Sequence, residues 1–316
     1  MQLNHEAASA RFRQSLTALW PGEGKLGLAV SGGPDSMAML LLAAEAFPDR
    51  IEAATVDHRL RTESGAEAAM VAGVCAGLGV PHEILAVEVE PGNVQSEART
   101  ARYAAQAEWT ERRGLTALLT AHHADDQAET LLLRLNRGSG AGGLAGIRAV
   151  GRVPGTRIPL LRPLLDWRRA DLAQVINESG VTAADDPSNA DPKYDRARVR
   201  KHLTQADWLD IPALAASAAH LADADAALDW AAAREWSECV TKAPMGLVYR
   251  PQAPRAVALR VIARVVRELD GTEPRGSAVA RLFDSLVARQ PASIGGLVAR
   301  TGHDGWSFTK APARRT

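Results

Sequence analysis

Six consecutive residues, Ser31-Gly32-Gly33-Pro34-Asp35-Ser36, combine the side chains and backbone freedom needed to hold a phosphate chain. Gly32 and Gly33 let the backbone approach an anion with no Cβ in the way. Ser31 and Ser36 add hydroxyl donors, and Pro34 suits a helix start, where its missing N–H is not needed. Asp35 is the discordant member. A carboxylate beside a polyphosphate is repelled unless a cation lies between them, which points to Mg²⁺. An ordinary strand–turn–helix with a Ser/Asp cap would account for these six residues taken alone.

A second cluster lies nearly a hundred residues downstream, where residues 121–130 read AHHADDQAET. Asp126 and Glu129 are spaced i, i+3, which puts both carboxylates on one helix face. With Asp35 they form a candidate ligand set for Mg²⁺ on a phosphate chain. His122 precedes the helix, placed to touch a phosphate or a leaving group. An acid-rich helix start explains Asp125 and Asp126 by itself, but not two adjacent histidines beside them. The chain has no GxxxxGK[ST] loop. Its one GxGxxG, at Gly138, Gly140 and Gly143, follows a predicted helix instead of a strand and so fails as a dinucleotide site.

The elements that must position these clusters alternate regularly. Strands are predicted at Leu26–Val30, Ile51–Asp57, Glu83–Val87 and Thr116–Ala121. Helices are predicted at Ser36–Phe47, Glu63–Leu78, Gln95–Arg113 and Asp125–Asn136. Four β-α units in a row imply an α/β fold, a Rossmann-like parallel sheet with helices on both faces. In the strand order 3-2-1-4, the first and fourth strands are neighbours at the switch point, and the two clusters face each other. Residues 137–146, RGSGAGGLAG, read as a mobile loop, and Ile147–Ile158 as a hairpin around Pro154-Gly155. A helix at Trp167–Ser179 follows, then a polar turn cluster at Asp185–Asn189 and a basic helix at Arg196–Gln205. Beyond a boundary placed near Gln205, residues 206–316 read as a mainly helical domain. It has an amphipathic helix at Val257–Leu269 and a terminal hairpin turning at Asp304-Gly305.

With 316 residues, two domains are expected. Lys+Arg and Asp+Glu are both 37, so net charge selects no partner. The basic start and apolar stretch of a signal peptide are not seen. The longest apolar run, Met37–Phe47, is shorter than the roughly 20 residues of a membrane span. Cys75 and Cys239 have no zinc or redox spacing and read as reduced thiols of a cytoplasmic protein.

Together the two clusters resemble the PP-loop ATP pyrophosphatase superfamily and, within it, the tRNA(Ile)-lysidine synthase family. The resemblance runs over about the first 200 residues. It includes SGGPDS, Val56–Arg61, Glu97-Ala98-Arg99 with Arg102-Tyr103, and AHHADDQAET. It continues through Leu133-Arg134 with Arg137–Gly140, Arg162–Leu165, Asp186–Asn189 and Arg196–Arg200. SGGxDS alone is widely shared; the ordered set is specific. The resemblance implies an adenine-nucleotide alpha-hydrolase-like fold and an ATP-dependent ligase that modifies the wobble cytidine of a CAU anticodon in tRNA(Ile). The base attacks the α-phosphorus of ATP, pyrophosphate leaves, and free L-lysine then displaces AMP to give lysidine. By motif position, Ser31 to Ser36 with Asp57 and His58 bind ATP. Asp35, Asp126 and Glu129 carry Mg²⁺, and Arg102, His122 and Arg196 act in catalysis. The family's later motif has Arg-Asn where this chain has Arg196-Ala197, so no role of that amide carries over. Arg196 and Arg200 remain, facing ATP or the tRNA.

Two segments fit a phosphate backbone. Residues 148–169 hold six arginines against Asp166, and residues 193–201 hold five basic residues against Asp195. Arg162, Arg168, Arg198, Arg200 and Lys201 are the candidates there, although a solvated basic face accounts for any one of them. Trp167 and Tyr194 are candidates for stacking on a base and read equally well as core. No motif identifies the lysine site or the oligomeric state. Two rivals stay open: a PP-loop tRNA thiolation enzyme, which would call for paired cysteines, and a non-catalytic nucleotide-binding module.

Overall fold

The computed structural model describes residues 5–59, 64–87, 94–184, 193 and 195–311. Leu60-Arg61, the Asp185–Asn189 cluster and Tyr194 lie outside the described residues. Two compact units are present, residues 1–222 and 223–316.

The first unit is built on a six-stranded sheet. Its strands are β1 (Leu26–Ala29), β2 (Ile51–Asp57), β3 (His82–Ala86), β4 (Ala117–Leu119), β5 (Val150–Arg152) and β6 (Pro159–Leu161), in the order β3-β2-β1-β4-β6-β5. All neighbours are parallel except β5, which runs antiparallel to β6. Leu28 of β1 pairs with Ala53 on one side and Leu119 on the other, which makes β1 and β4 the expected neighbours.

Helices cover both faces, as runs of buried apolar strand residues require. On one face, α2 (Pro34–Ala46) buries Met37 through Ala43 on all sides, against Phe12 and Leu16 of α1 (His5–Leu19) and Leu172 of α7 (Arg169–Ser179). Each such large apolar side chain contributes about 1.5–3 kcal/mol relative to exposure. The other face buries Tyr103, Ala107 and Trp109 of α4 (Val94–Arg112) against Leu118 and Leu160. Gly27 permits this packing, because a Cβ there would lie 2.7 Å from the Trp109 ring. Between β2 and β3 runs α3 (Ser64–Leu78); α5 (Ala124–Asn136) follows β4.

Three expectations change in this unit. The glycine-rich segment is not an open loop: residues 141–144 form a helical turn, α6 (Ala141–Leu144). Its exit is clamped by Gln127, which donates to Ile147 O (2.8 Å) and accepts from Ile147 N (2.6 Å). The predicted hairpin reaches Leu161, and its second strand joins the main sheet beside β4. The units divide inside α9 (Ile211–Cys239), not near Gln205. The basic helix α8 (Asp195–Gln205) and the start of α9 belong to the first unit, where Leu203 and Ile211 pack on Ala124 and Ala128 of α5.

The second unit is a mixture of helices and sheet, which corrects the expectation of a mainly helical domain. Its strands are β7 (Val240–Ala243), β8 (Gly246–Tyr249), β9 (Ala292–Ile294), β10 (Leu297–Gly302) and β11 (Gly305–Lys310), all antiparallel in the order β7-β8-β11-β10-β9. The expected amphipathic helix is α10 (Arg255–Asp270). It buries Val257, Val261, Ile262 and Val265; Arg260 pairs with Asp225 and Asp229 of α9, Arg264 lies over Trp236, and Arg267 pairs with Glu273. It packs with α11 (Gly276–Val287) over the sheet. The terminal hairpin turns one residue earlier than predicted: Gly302 pairs with Gly305, so His303 and Asp304 form the turn, and Gly305 takes φ +121°.

Candidate active site

The loop between β1 and α2 is held by its own serines. Ser36 Oγ accepts the Ser31 N–H (3.1 Å) and donates to Gly33 O (2.9 Å), and the two hydroxyls lie 3.1 Å apart. Gly32 sits at φ +87°, where a side chain is strained. Gly33 caps α2 in extended geometry with Pro34 at the first helical position, leaving the helix N-terminus open to an anion. Asp35 projects from this first turn, one third exposed; its Oδ1 is buried with no hydrogen-bond partner.

Because β1 and β4 are neighbours, the start of α5 comes to meet this loop. The residue that joins them is His123, fully buried at the N-cap of α5. Its Nε2 lies 3.4 Å from Asp35 Oδ2 and 3.6 Å from Asp126 Oδ2, and its Nδ1 lies 3.7 Å from Asp125 Oδ2. Neither ring nitrogen makes a formed hydrogen bond. Asp126 Oδ2 also accepts the backbone N–H of His123 (3.1 Å) and so fixes the helix start. Burial pushes the imidazole pKa down, but Asp35 and Asp126 outweigh it and raise it above the ordinary value.

His122 is the opposite case. Burial, countered by Asp126 and reinforced by Arg162, Arg196 and Arg102, lowers its pKa to about 4, so the ring is neutral at pH 7. Its Nδ1 lies 3.0 Å from Thr120 Oγ1. His58 is lowered by burial and by Arg102 and has a buried Nδ1 without a partner. Thus Arg102, Arg162 and Arg196 act on His122, and Arg102 on His58, while Asp35, Asp125 and Asp126 surround His123; Asp126 acts on both histidines of the pair. Arg102 and Arg162 both face Tyr103, and among the described residues neither has a carboxylate partner. A buried guanidinium without a counter-charge is costly, which favours an anionic ligand there.

Other predicted site residues have local partners. Asp57 Oδ1 accepts the Ser64 hydroxyl (2.7 Å) and the Arg59 N–H (2.9 Å), which orders the end of β2 and holds the carboxyl below its usual range. Glu129 is almost fully buried. Its Oε1 accepts from Arg200 Nε at 2.7 Å, with Arg169 at 3.5 Å, and its Oε2 lies 3.4 Å from Arg200 Nη2. Its carboxylate is therefore paired with Arg200, which also feels the charges of Asp126 and Asp35. Arg168 grips Asp125 through Nε and Nη2, both at 3.2 Å, and the Arg169 N–H adds a third bond at 2.8 Å. Arg198 pairs with Asp195, while Arg196 and Lys201 are exposed on α8. Trp167 is fully buried under the Arg11 guanidinium and belongs to the core.

Among the described residues, no group of three or more His, Cys, Asp or Glu side chains takes a metal-binding arrangement. Asp35 and Asp126 nonetheless suit a hard cation: both are carboxylates, they converge on one imidazole, and Asp35 keeps a free oxygen. Sequence reasoning missed three contributors: His123, Asp125 and Arg169. The doubled histidine is the available signal, and from sequence it singles out His122 alone. Cys75 lies in the first unit's core and Cys239 is buried in the second unit, each by itself.

A glycine-rich anion loop facing carboxylates across the β1–β4 junction is the arrangement of a nucleotide-cleaving α/β domain. Residues 4–207 match the family model described as a PP-loop domain. The tRNA(Ile)-lysidine synthase of Novosphingobium aromaticivorans is 48% identical over 313 residues, 98% of this chain and 95% of that protein. That of Zymomonas mobilis is 41% identical over 302 residues, 93% of this chain and 91% of that one. A solved structure of the U34-tRNA thiolase NcsA from Methanococcus maripaludis aligns with TM-score 0.55. It covers 68% of this chain and 77% of its own at 15% identity, a likeness of fold alone. The chain belongs to the tRNA(Ile)-lysidine synthase family.

Proposed function

We propose that this protein joins free L-lysine to carbon 2 of the wobble cytidine in the CAU anticodon of tRNA(Ile), at the expense of ATP. The observation that carries the reading is the approach of Asp35, on the phosphate loop, to the His122–Asp126 segment across the β1–β4 junction. In a member of this family, that approach puts an ATP-cleaving site next to the basic groups a tRNA needs. The cytidine's carbon-2 oxygen attacks the α-phosphorus, the bond to pyrophosphate breaks, and the base is adenylated. The lysine ε-amine then attacks carbon 2; AMP leaves with the oxygen, and the amine proton passes to solvent.

The backbone N–H groups of Gly32, Gly33, Asp35 and Ser36 and the two serines cradle the phosphates. Arg102, Arg196 and neutral His122 meet the charge that develops on the leaving pyrophosphate. Asp35 and Asp126 would hold Mg²⁺, with Glu129 as the third carboxylate once Arg200 lets go. When bound, the metal neutralises the phosphate oxygens and eases departure of pyrophosphate. Arg162, Arg168, Arg198, Arg200 and Lys201 contact the tRNA backbone, and the target base is splayed from the anticodon loop to reach the site. Among the described residues, no helix is long and apolar enough to cross a membrane, and we place the enzyme in the cytoplasm with its tRNA.

The test is incubation with Mg²⁺, ATP, radiolabelled lysine and a tRNA(Ile) transcript bearing CAU. Label entering the tRNA, and failing to enter a transcript whose wobble cytidine is replaced by uridine, is the expected result. ATP binding with no label transferred would reduce the chain to a nucleotide-binding module.

A further inference from the structure

We infer that His123 is a positioning residue, the brace that sets the spacing between Asp35 of the phosphate loop and Asp126 of α5. The inference rests on the proposed metal role of those two carboxylates and assigns the residue that keeps them in register. Three observations lead to it. The imidazole is fully buried, yet neither nitrogen has a formed hydrogen bond. Buried polar atoms without partners are rare and call for an explanation. The ring also lies within 3.7 Å of three carboxylates from two elements: Asp35 at 3.4 Å, Asp126 at 3.6 Å and Asp125 at 3.7 Å.

The third observation is an anchor behind the ring. Asp125 is fixed by Arg168 and by the Arg169 N–H, so the Nδ1 side faces a rigid acceptor on the α7 side. The Nε2 side then faces the two carboxylates to be spaced, Asp35 on the phosphate loop and Asp126 on α5. Mg²⁺ prefers oxygen ligands, so the imidazole belongs behind the carboxylates and not among the ligands. Groups that orient a metal's ligands from behind typically change its affinity about 10–100-fold when removed.

The experiment titrates ATP into the full-length protein, once with Mg²⁺ and once with EDTA, and compares wild type with His123→Ala and His123→Asn. Circular dichroism and a thermal melt accompany each variant. Wild type is expected to bind ATP more tightly with Mg²⁺. His123→Ala is expected to keep its metal-free affinity and lose about tenfold of the Mg²⁺-dependent gain. His123→Asn, which retains one N–H donor and leaves a smaller void, is expected to recover part of it. A full Mg²⁺-dependent gain in both variants overturns the inference. So does an equal loss with and without metal, which marks a purely structural residue. Absence of any gain in wild type overturns the metal reading itself, and the wild-type titration registers that separately from the variants.

Discussion

Two acidic residues, one in each unit, have opposite surroundings. Glu235 in the second unit is 7% exposed and fully engaged: its Oε1 accepts from the Tyr249 hydroxyl (3.0 Å), Gln252 N (2.8 Å) and Ala253 N (3.1 Å). It ties the end of α9 to the segment before α10. Asp35 in the first unit keeps a buried oxygen with no partner, beside an imidazole whose nitrogens are also unengaged. Folding alone completes the Glu235 cluster. In the Asp35–His123–Asp126 cluster it leaves Asp35 Oδ1 and both imidazole nitrogens without a hydrogen-bond partner. A buried polar group costs free energy unless bonded, so incompleteness persists where a ligand repays it.

Substitutions can break that contrast. The largest effect is expected from Asp35→Asn, which should lower AMP formation on the order of 10³-fold while the thermal melt barely moves. Loss of folding instead would make Asp35 a structural residue like Glu235. Glu235→Ala should do the reverse, costing about 3 kcal/mol in a denaturant melt by leaving its donors unpaired. The pH dependence of wild type carries the same signature. Burial raises the Glu235 carboxyl, but its N–H and hydroxyl donors outweigh this and hold it below 4.5. Its contribution to stability is therefore present above pH 4.5 and lost as pH falls through the folded value.

His122 sharpens the comparison from the histidine side. With its pKa lowered from 6.5 to about 4, the unfolded chain binds the extra proton first as pH drops. Stability from this group is full above pH 6.5 and lost between 6.5 and about 4. His122→Gln should flatten that limb in melts recorded across the range and also slow AMP release. A smaller effect is expected from Lys201→Ala, exposed on α8. It should weaken tRNA binding several-fold and reduce the salt slope by about one, with ATP binding unchanged. The smallest belongs to the buried thiols: Cys75→Ala combined with Cys239→Ala should keep lysine transfer within about twofold, since buried structural cysteines are inert. Complete loss of activity would revive thiolation chemistry.

The first unit was legible because its signals are long and redundant. Four β-α repeats dictate the sheet, and the strand order that follows predicts that Ser31–Ser36 and Asp126 meet. The second unit was not, because β7, β8 and β9 are strands of three or four residues. Alternation over so few positions, as in Gly246–Tyr249, does not stand out from loop sequence. Within the site, residue types were readable but side-chain directions were not. His122 and His123 are adjacent, yet the arginines help lower the pKa of one while Asp35 and Asp126 raise that of the other. The Glu129–Arg200 pair joins helices far apart in the chain and has no local signal. The glycine-rich segment misled for a related reason: glycine content signals freedom, and its anchor, Gln127, lies on another helix.

The central claim is that this site transfers the α-phosphate of ATP to a tRNA base before lysine enters. It is tested most directly with ATP labelled at the α-phosphate, Mg²⁺ and the CAU-bearing tRNA(Ile) transcript, with lysine withheld. The account predicts label attached to the tRNA, which addition of unlabelled lysine releases as AMP. Label that reaches AMP or ADP without ever residing on the tRNA would contradict it.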